Sequence, residues 1–245
     1  MAMLFLAGIA AGTINSVIGS GTLITFPAIL AFGYSPLVAN MSNNLGVLPG
    51  AITGAYAYRR ELKPQWPRVR RLACFSLVGG LAGALLLLNL PPTAFKKIVP
   101  VLVLLAITLV ITQPWLKRRA ASREARPRRN AIIRDGGILL TGIYGGYFGA
   151  AQGILLMSIL GAVIDESIQK LNSIKIMLAL SANTAAAIVF IFIGGINWPV
   201  AGVIAAGSLF GGHFGASIGR RLPDPVYRAV IVIVGLIAFA KLVSS

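Results

Sequence analysis

The sequence predicts an all-α polytopic membrane protein made of two inverted repeats, each opening on a broken, re-entrant segment followed by three transmembrane helices. Three observations lead there. The 245 residues are 57% hydrophobic and 11% charged, with a mean hydropathy of +0.84, whereas a soluble domain carries about a quarter charged residues. Apolar runs recur along the whole length. Two of them, one in each half, are interrupted by polar, glycine-spaced breaks: Asn15-Ser16-Val17-Ile18-Gly19-Ser20-Gly21-Thr22 and Gly149-Ala150-Ala151-Gln152-Gly153. Gly8, Gly12 and Gly19 are spaced as are Gly142, Gly146 and Gly153. Paired broken apolar segments in two halves are the sequence pointer to a solute-binding site inside a bilayer.

In chain order, the first break separates Leu4 to Ile14 from Leu23 to Phe32, each shorter than the roughly 20 residues a crossing needs. The turn Gly33-Tyr34-Ser35-Pro36 leads into a span over 37–58 whose first half holds Asn40, Ser42, Asn43 and Asn44. Hydrocarbon does not solvate amides, so these side chains are expected to face protein or a wet cavity. Spans follow at 72–90 and 98–112, separated by Pro91-Pro92. The second broken segment covers 136–164, and spans at 171–193, 198–219 and 227–243 complete the chain. Gly79, Gly80 and Gly83, and Gly207, Gly211, Gly215 and Gly219, form small-residue stripes whose ordinary role is close helix packing in lipid.

Charge orients the spans. Twenty-two Lys and Arg residues face 6 acidic ones, a net charge of +16. The basic runs have no interleaved aromatics and no soluble domain to carry them, so no nucleic-acid partner is expected. Most cations fall in two loops, one with Arg59, Arg60, Lys63, Arg68, Arg70 and Arg71, the other from Lys117 to Arg134. Lys and Arg mark the cytoplasmic side. If each break crosses the membrane once, both loops are cytoplasmic but Arg220 and Arg221 fall outside. If each break is a hairpin, Lys170, Arg220 and Arg221 join them, leaving mainly Lys96, Lys97 and Lys241 outside. The hairpin reading fits better and sets the halves in opposite orientations. It divides the chain into a first repeat (1–113), a basic cytoplasmic linker (114–134) and a second repeat (135–245). Met1 leads straight into an apolar run without a basic n-region, so targeting is expected to rest on the membrane segments themselves.

Gly19-Ser20-Gly21-Thr22-Leu23 through Pro27-Ala28-Ile29-Leu30 and Gly33 resembles the N-terminal motif of the TauE/SafE sulfite and organosulfonate exporter family. The second half resembles it too, in the run Gly142 to Gly149, Lys170-Leu171-Asn172, Asn183 and Gly195-Ile196-Asn197-Trp198. Gly211-Gly212-His213-Phe214-Gly215-Ala216 with Gly219-Arg220-Arg221-Leu222 is similar to the family's closing glycine helix. The resemblance implies a multi-pass inner-membrane permease with duplicated halves, exporting sulfite, sulfonates or related small anions. Ser20 between Gly19 and Gly21, and Gln152 where a further glycine is common, depart from the family pattern.

If the breaks are hairpin tips, a half-helix begins after each, and its free N–H groups and positive dipole end form an anion cradle. Its candidate members are Asn15, Gly19, Ser20, Gly21, Thr22, Gln152 and Gly153. The plainer reading is a tight turn. Asn40, Asn43 and Asn44 come next, with Asn40 opposite Asn172 and Asn43 opposite Lys175 in the repeat; Asn183 lines the same cavity or bonds across helices. An ammonium inside a span is a functional candidate by default, although Lys175 lies near enough to its span's end to snorkel. His213 is a candidate for proton coupling, against a commoner hydrogen-bonded packing role. Cys74, the single cysteine, excludes an internal disulfide and reads as a packed thiol. No P-loop, metal-ligand spacing or mid-span carboxylate occurs, so no cofactor, metal or enzymatic activity is expected. The expected partners are a small anion and the bilayer, with homo-oligomerisation left open. An anion channel and a non-transporting assembly subunit are the rival readings.

Overall fold

The computed structural model describes residues 1–17, 19–121, 127–218 and 224–243. The helices are α1 (Ala2–Val17), α2 (Thr22–Ala31), α3 (Pro36–Ala57), α4 (Arg59–Leu62), α5 (Trp66–Asn89), α6 (Pro92–Ala121), α7 (Pro127–Tyr147), α8 (Gln152–Val163), α9 (Ile168–Ile193), α10 (Trp198–Ile218) and α11 (Asp224–Val243), with a 3₁₀ turn at Lys63–Gln65. No strand occurs among the described residues. Three stretches, Arg59–Asn89, Thr93–Trp115 and Ile168–Ile193, are long and apolar enough to cross a membrane, and shorter apolar helices accompany them.

Both apolar runs break where the glycines predict, and the chain turns back at each break. A Cβ built on Gly21 would lie 3.0 Å from the Cα of Ala11; ten residues of unbroken helix would separate them by about 15 Å. In the second break the Gln152 amide reaches back to the carbonyl of Thr141, 3.3 Å away. Gly19 (φ +83°) and Gly149 (φ +76°) supply the left-handed backbone of the turns, a region that penalises a Cβ. The returning helices α2 and α8 have 10 and 12 residues. At 1.5 Å per residue that is about 15–18 Å, half of a hydrocarbon core of about 30 Å.

The small-residue stripes set the helix packing. Gly8 meets Ile204 and Gly207, Gly12 meets Ser208 and Gly212, and Gly215 meets Thr13, so α1 and α10 run parallel with their backbones in contact. Gly79 meets Leu139 and Gly142, and Gly83 meets Ile143 and Tyr147, so α5 and α7 do the same. Lipid is as apolar as a leucine side chain, and close van der Waals contact holds such pairs together. Around them α3 packs on α10, α5 on α9, α6 on α11 and α8, α2 on α11, and α3 and α9 meet in the middle. Ion pairs from Arg71 to Asp135 (2.9 Å) and from Arg68 to Glu166 (3.5 Å) gather the first turns of α5, the first half of α7 and the approach to α9 at one end, the basic end.

Three expectations change. The first basic run is helical, not a loop: α4, the 3₁₀ turn and the first turns of α5 contain it, with Pro64 and Pro67 in the first turns of their elements, where proline is tolerated. The 114–134 linker is entered by α6 as far as Ala121 and left by α7 from Pro127. Cys74 is exposed, because the buried face of α5 is the stripe of Val69, Leu72, Ser76, Gly79, Gly80 and Gly83. Ile18, Arg123, Arg126 and the segment Gly219-Arg220-Arg221-Leu222-Pro223 lie outside the described residues.

Candidate functional site

The two breaks touch. The Gly153 N–H donates to the Gly19 carbonyl at 3.1 Å, and a Cβ on either glycine would lie 2.5–2.6 Å from the other's Cα. Neither position has room for a side chain. Each turn is also pinned by the helix that leads into it: Asn15 Oδ1 accepts from the Gly21 N–H at 3.0 Å, and the Tyr144 hydroxyl donates to the Ala150 carbonyl at 2.5 Å.

Two asparagines tie the breaks together crosswise. α3 and α9 both start on a serine cap, Ser35 accepting from the Val38 N–H and Ser167 from the Lys170 N–H. Five residues after each cap comes an asparagine, Asn40 and Asn172. Asn40 Nδ2 donates to the carbonyl of Tyr147, the last residue of α7, at 2.9 Å. Asn172 Nδ2 donates to the carbonyl of Ser16, in the last turn of α1, at 3.1 Å. The final carbonyls of a helix lack partners within it, so each broken helix is capped from the other half of the sequence.

Beside this contact lies a cavity of about 30 Å³, room for about two water molecules. Asn15, Ser16, Gly19 and Thr22 line it from the first break, Gly149, Gln152 and Gly153 from the second, Gly50, Ala51 and Gly54 from α3, and Lys175, Ile176, Ala179 and Asn183 from α9. Lys175 is only 2% exposed, so it does not snorkel. Asn15 uses its carbonyl oxygen on the Gly21 N–H, which leaves its amide hydrogens as donors. Asn183 Oδ1 is buried without a protein partner. The lining therefore offers one cation, amide and hydroxyl donors, and one carbonyl oxygen that takes a hydrogen.

Of the residues expected at the site, Asn15, Gly19, Thr22, Gln152, Gly153, Lys175 and Asn183 line the cavity. The others do not. Asn40 and Asn172 are the crossed caps. Asn43 bonds to the Thr22 and Thr25 hydroxyls, and Gly21 packs on Ala11. Ser20 and Asn44 are buried off the cavity, with Ser20 Oγ and Asn44 Oδ1 unpartnered. His213 is exposed on α10, its ring edge-on to Phe214 at 5.2 Å. The backbone cradle also changes: the Gln152 N–H bonds to Gly149 O and the Gly153 N–H to Gly19 O. Side chains therefore supply most of the donors. Ser16, Gly50, Ala51, Gly54, Gly149, Ile176 and Ala179 are lining residues that sequence reasoning missed. The four-residue spacing of Gly46, Gly50 and Gly54 was the available signal.

An aromatic group packs beside the second break and does not line the cavity. Phe26 meets Phe148 edge-on at 5.2 Å, and Phe95 meets Tyr147 at 5.6 Å and Phe148 at 6.5 Å. All four are buried.

The family model described as Sulfite exporter TauE/SafE matches residues 4–242. The chain is 26% identical over 245 residues to a "Probable membrane transporter protein" of Haemophilus influenzae, covering 99% of this chain and 94% of that one. It is 28% identical over 243 residues to the "Probable membrane transporter protein YfcA" of Escherichia coli K12, covering 99% and 89%. It is 29% identical over 250 residues to the "Probable membrane transporter protein ORF9" of a Sinorhizobium species, covering 100% and 93%. No solved structure matches. With the family model spanning nearly the whole chain and its relatives matched almost end to end, the chain belongs to the TauE/SafE family of membrane transporters.

Proposed function

We propose that the protein is a secondary transporter that exports a small anion, sulfite or a related sulfur oxyanion or sulfonate, across the inner membrane, with the solute held in the cavity beside the two touching breaks. The observation that carries this is the lining itself. Lys175 supplies attraction, Asn15, Thr22 and Gln152 supply donors, and both breaks contribute backbone without side chains in the way. The unpartnered Asn183 oxygen suits an anion that also brings a hydrogen, such as hydrogen sulfite or an amine-bearing sulfonate.

Two inverted halves follow as part of the same reading. Asp135, in the first half of α7, lies at the basic end, and Glu166, between α8 and α9, is back at that end. α9 leads away from it, so α10 starts at the far end, and α1 runs parallel to α10. The α7–α8 hairpin then opens to the basic, cytoplasmic side and the α1–α2 hairpin to the opposite side, the arrangement of many secondary transporters. The cavity sits toward the basic end, beside the C-terminal half of α3 and the first half of α9. The Phe26–Phe95–Tyr147–Phe148 group lies on the other side and acts as the closed gate of an inward-facing state. Contact between the tips favours a carrier over a pore, since no continuous path passes between Gly19 and Gly153.

Proteoliposome flux with labelled sulfite, thiosulfate, sulfoacetate, taurine and carboxylates, with and without a pH gradient, tests the proposal. Saturable, counterflow-capable movement of a sulfur anion is expected. Unitary currents support a channel instead, and absence of flux for every member of the panel overturns the reading.

A further inference from the structure

A second feature has no part in the transport site. At the basic end, α3 stops at Ala57 and α5 resumes at Trp66, with α4 and the 3₁₀ turn between them. Arg59, Arg60, Leu62, Lys63 and Trp66 line an open cleft of about 640 Å³ at this bend. Its floor is the buried Leu62, and Trp66 is 45% exposed. Below it, Ile52 and Tyr56 stand one turn apart on the outer face of α3, 56% and 62% exposed. In a bilayer those two side chains face acyl chains.

The cations of this end are not alike. Arg68 and Lys170 pair with Glu166, and Arg71 and Arg134 with Asp135. Among the described residues, Arg59, Arg60 and Lys63 have no carboxylate within ion-pair distance, and Glu61, the only acidic residue on the bend, is not in the cleft wall. Arg59 is held in place: its guanidinium lies 4.2 Å over the Tyr56 ring and donates to the Tyr56 carbonyl at 3.0 Å. A positioned Arg59 beside Arg60 and Lys63, above an apolar track, complements a phosphate carried on acyl chains.

We propose that this cleft binds an anionic phospholipid, its headgroup phosphate on Arg59, Arg60 and Lys63 and one acyl chain along Tyr56 and Ile52. The interaction requires only that the protein resides in a bilayer, so it stands apart from the identity of the transported anion. Juxtamembrane cations attract anionic lipid strongly enough for two of them to change occupancy about tenfold or more.

The test mixes the purified full-length protein with phosphatidylglycerol, phosphatidylcholine of the same chains, or inorganic phosphate, and measures retained lipid by native mass spectrometry. Phosphatidylglycerol is expected to be retained at least tenfold better than phosphatidylcholine and to resist equimolar phosphate. Arg60→Gln/Lys63→Gln is expected to lose that retention about tenfold, whereas Arg70→Gln/Lys97→Gln, the same charge change off the cleft, keeps it. In the wild-type protein, bromine-labelled phosphatidylglycerol is expected to quench emission that Trp66→Phe lacks. Equal retention of the two lipids, equal loss in both double variants, displacement by phosphate, or quenching unchanged by Trp66→Phe each overturns the proposal.

Discussion

Lys175 is where the site concentrates its charge. A buried ammonium in a span is tolerated when a polar cavity or a partner solvates it, and here it faces the same space as Asn15, Gln152 and Asn183. Lys175→Gln keeps the length and hydrogen-bonding capacity but removes the charge. Its anion affinity is expected to fall at least tenfold in flux assays while the protein still assembles, with Lys175→Arg retaining part of it. Asn172 has a different job. Asn172→Ala leaves the Ser16 carbonyl unpaired in a buried place, a loss of about 1–3 kcal/mol, read as a lowered thermal midpoint in detergent. Neither asparagine role was legible beforehand, because an amide in a span looks the same whether it faces a solute or caps a distant helix. Glu166 sits outside the spans, and the Lys170 ammonium, bonded to its carboxylate, holds its pKa below the usual range, with Arg68 adding to the effect. A lowered folded-state pKa gives stability that is present above the ordinary glutamate value, about 4.3, and lost as pH falls through the lower, folded one. The midpoint difference between wild type and Glu166→Gln is therefore expected at neutral pH and to vanish in strong acid. It is small, since exposed pairs contribute little.

At the scale of elements, glycines divide into those that allow contact and those that merely occupy a helix. Gly153→Ala forces a methyl to 2.5 Å from the Gly19 Cα, with backbone on both sides. It is expected to abolish flux and lower the yield of folded protein. Gly202, on the outer face of α10, has nothing within 4 Å of an added Cβ, so Gly202→Ala is expected to be neutral or to gain up to about 1 kcal/mol of helix propensity. Thermal midpoints of the two variants in one detergent check the contrast. The breaks, the stripes and most helices were legible, because glycine spacing and apolar run length act locally. The helicity of the basic run was not: charge signals which side a segment occupies but leaves its backbone free to follow the propensities of Arg, Leu and Gln.

For the whole molecule, glycine spacing marked the two breaks, but the pairing of α1 with α10 and of α5 with α7 was not legible, since stripes do not name their partners. The aromatic group was hidden as well, because its four members come together from α2, α6, the end of α7 and the residue before Gly149. Phe26→Ala/Phe148→Ala empties that group and, if it serves as the proposed gate, is expected to raise uncoupled anion leak in proteoliposomes at least severalfold. An unchanged leak would assign the aromatics to packing alone.

A solute site at the contact of the two breaks is what the proposed transport requires. Equilibrium binding of radiolabelled sulfite to the purified protein tests it most directly, comparing the cavity variants Lys175→Gln and Asn183→Ala with Asn44→Ala, buried but off the cavity. Saturable binding is expected, weakened at least tenfold by the two cavity variants and kept by the third. Binding that survives both cavity variants intact would contradict such a site.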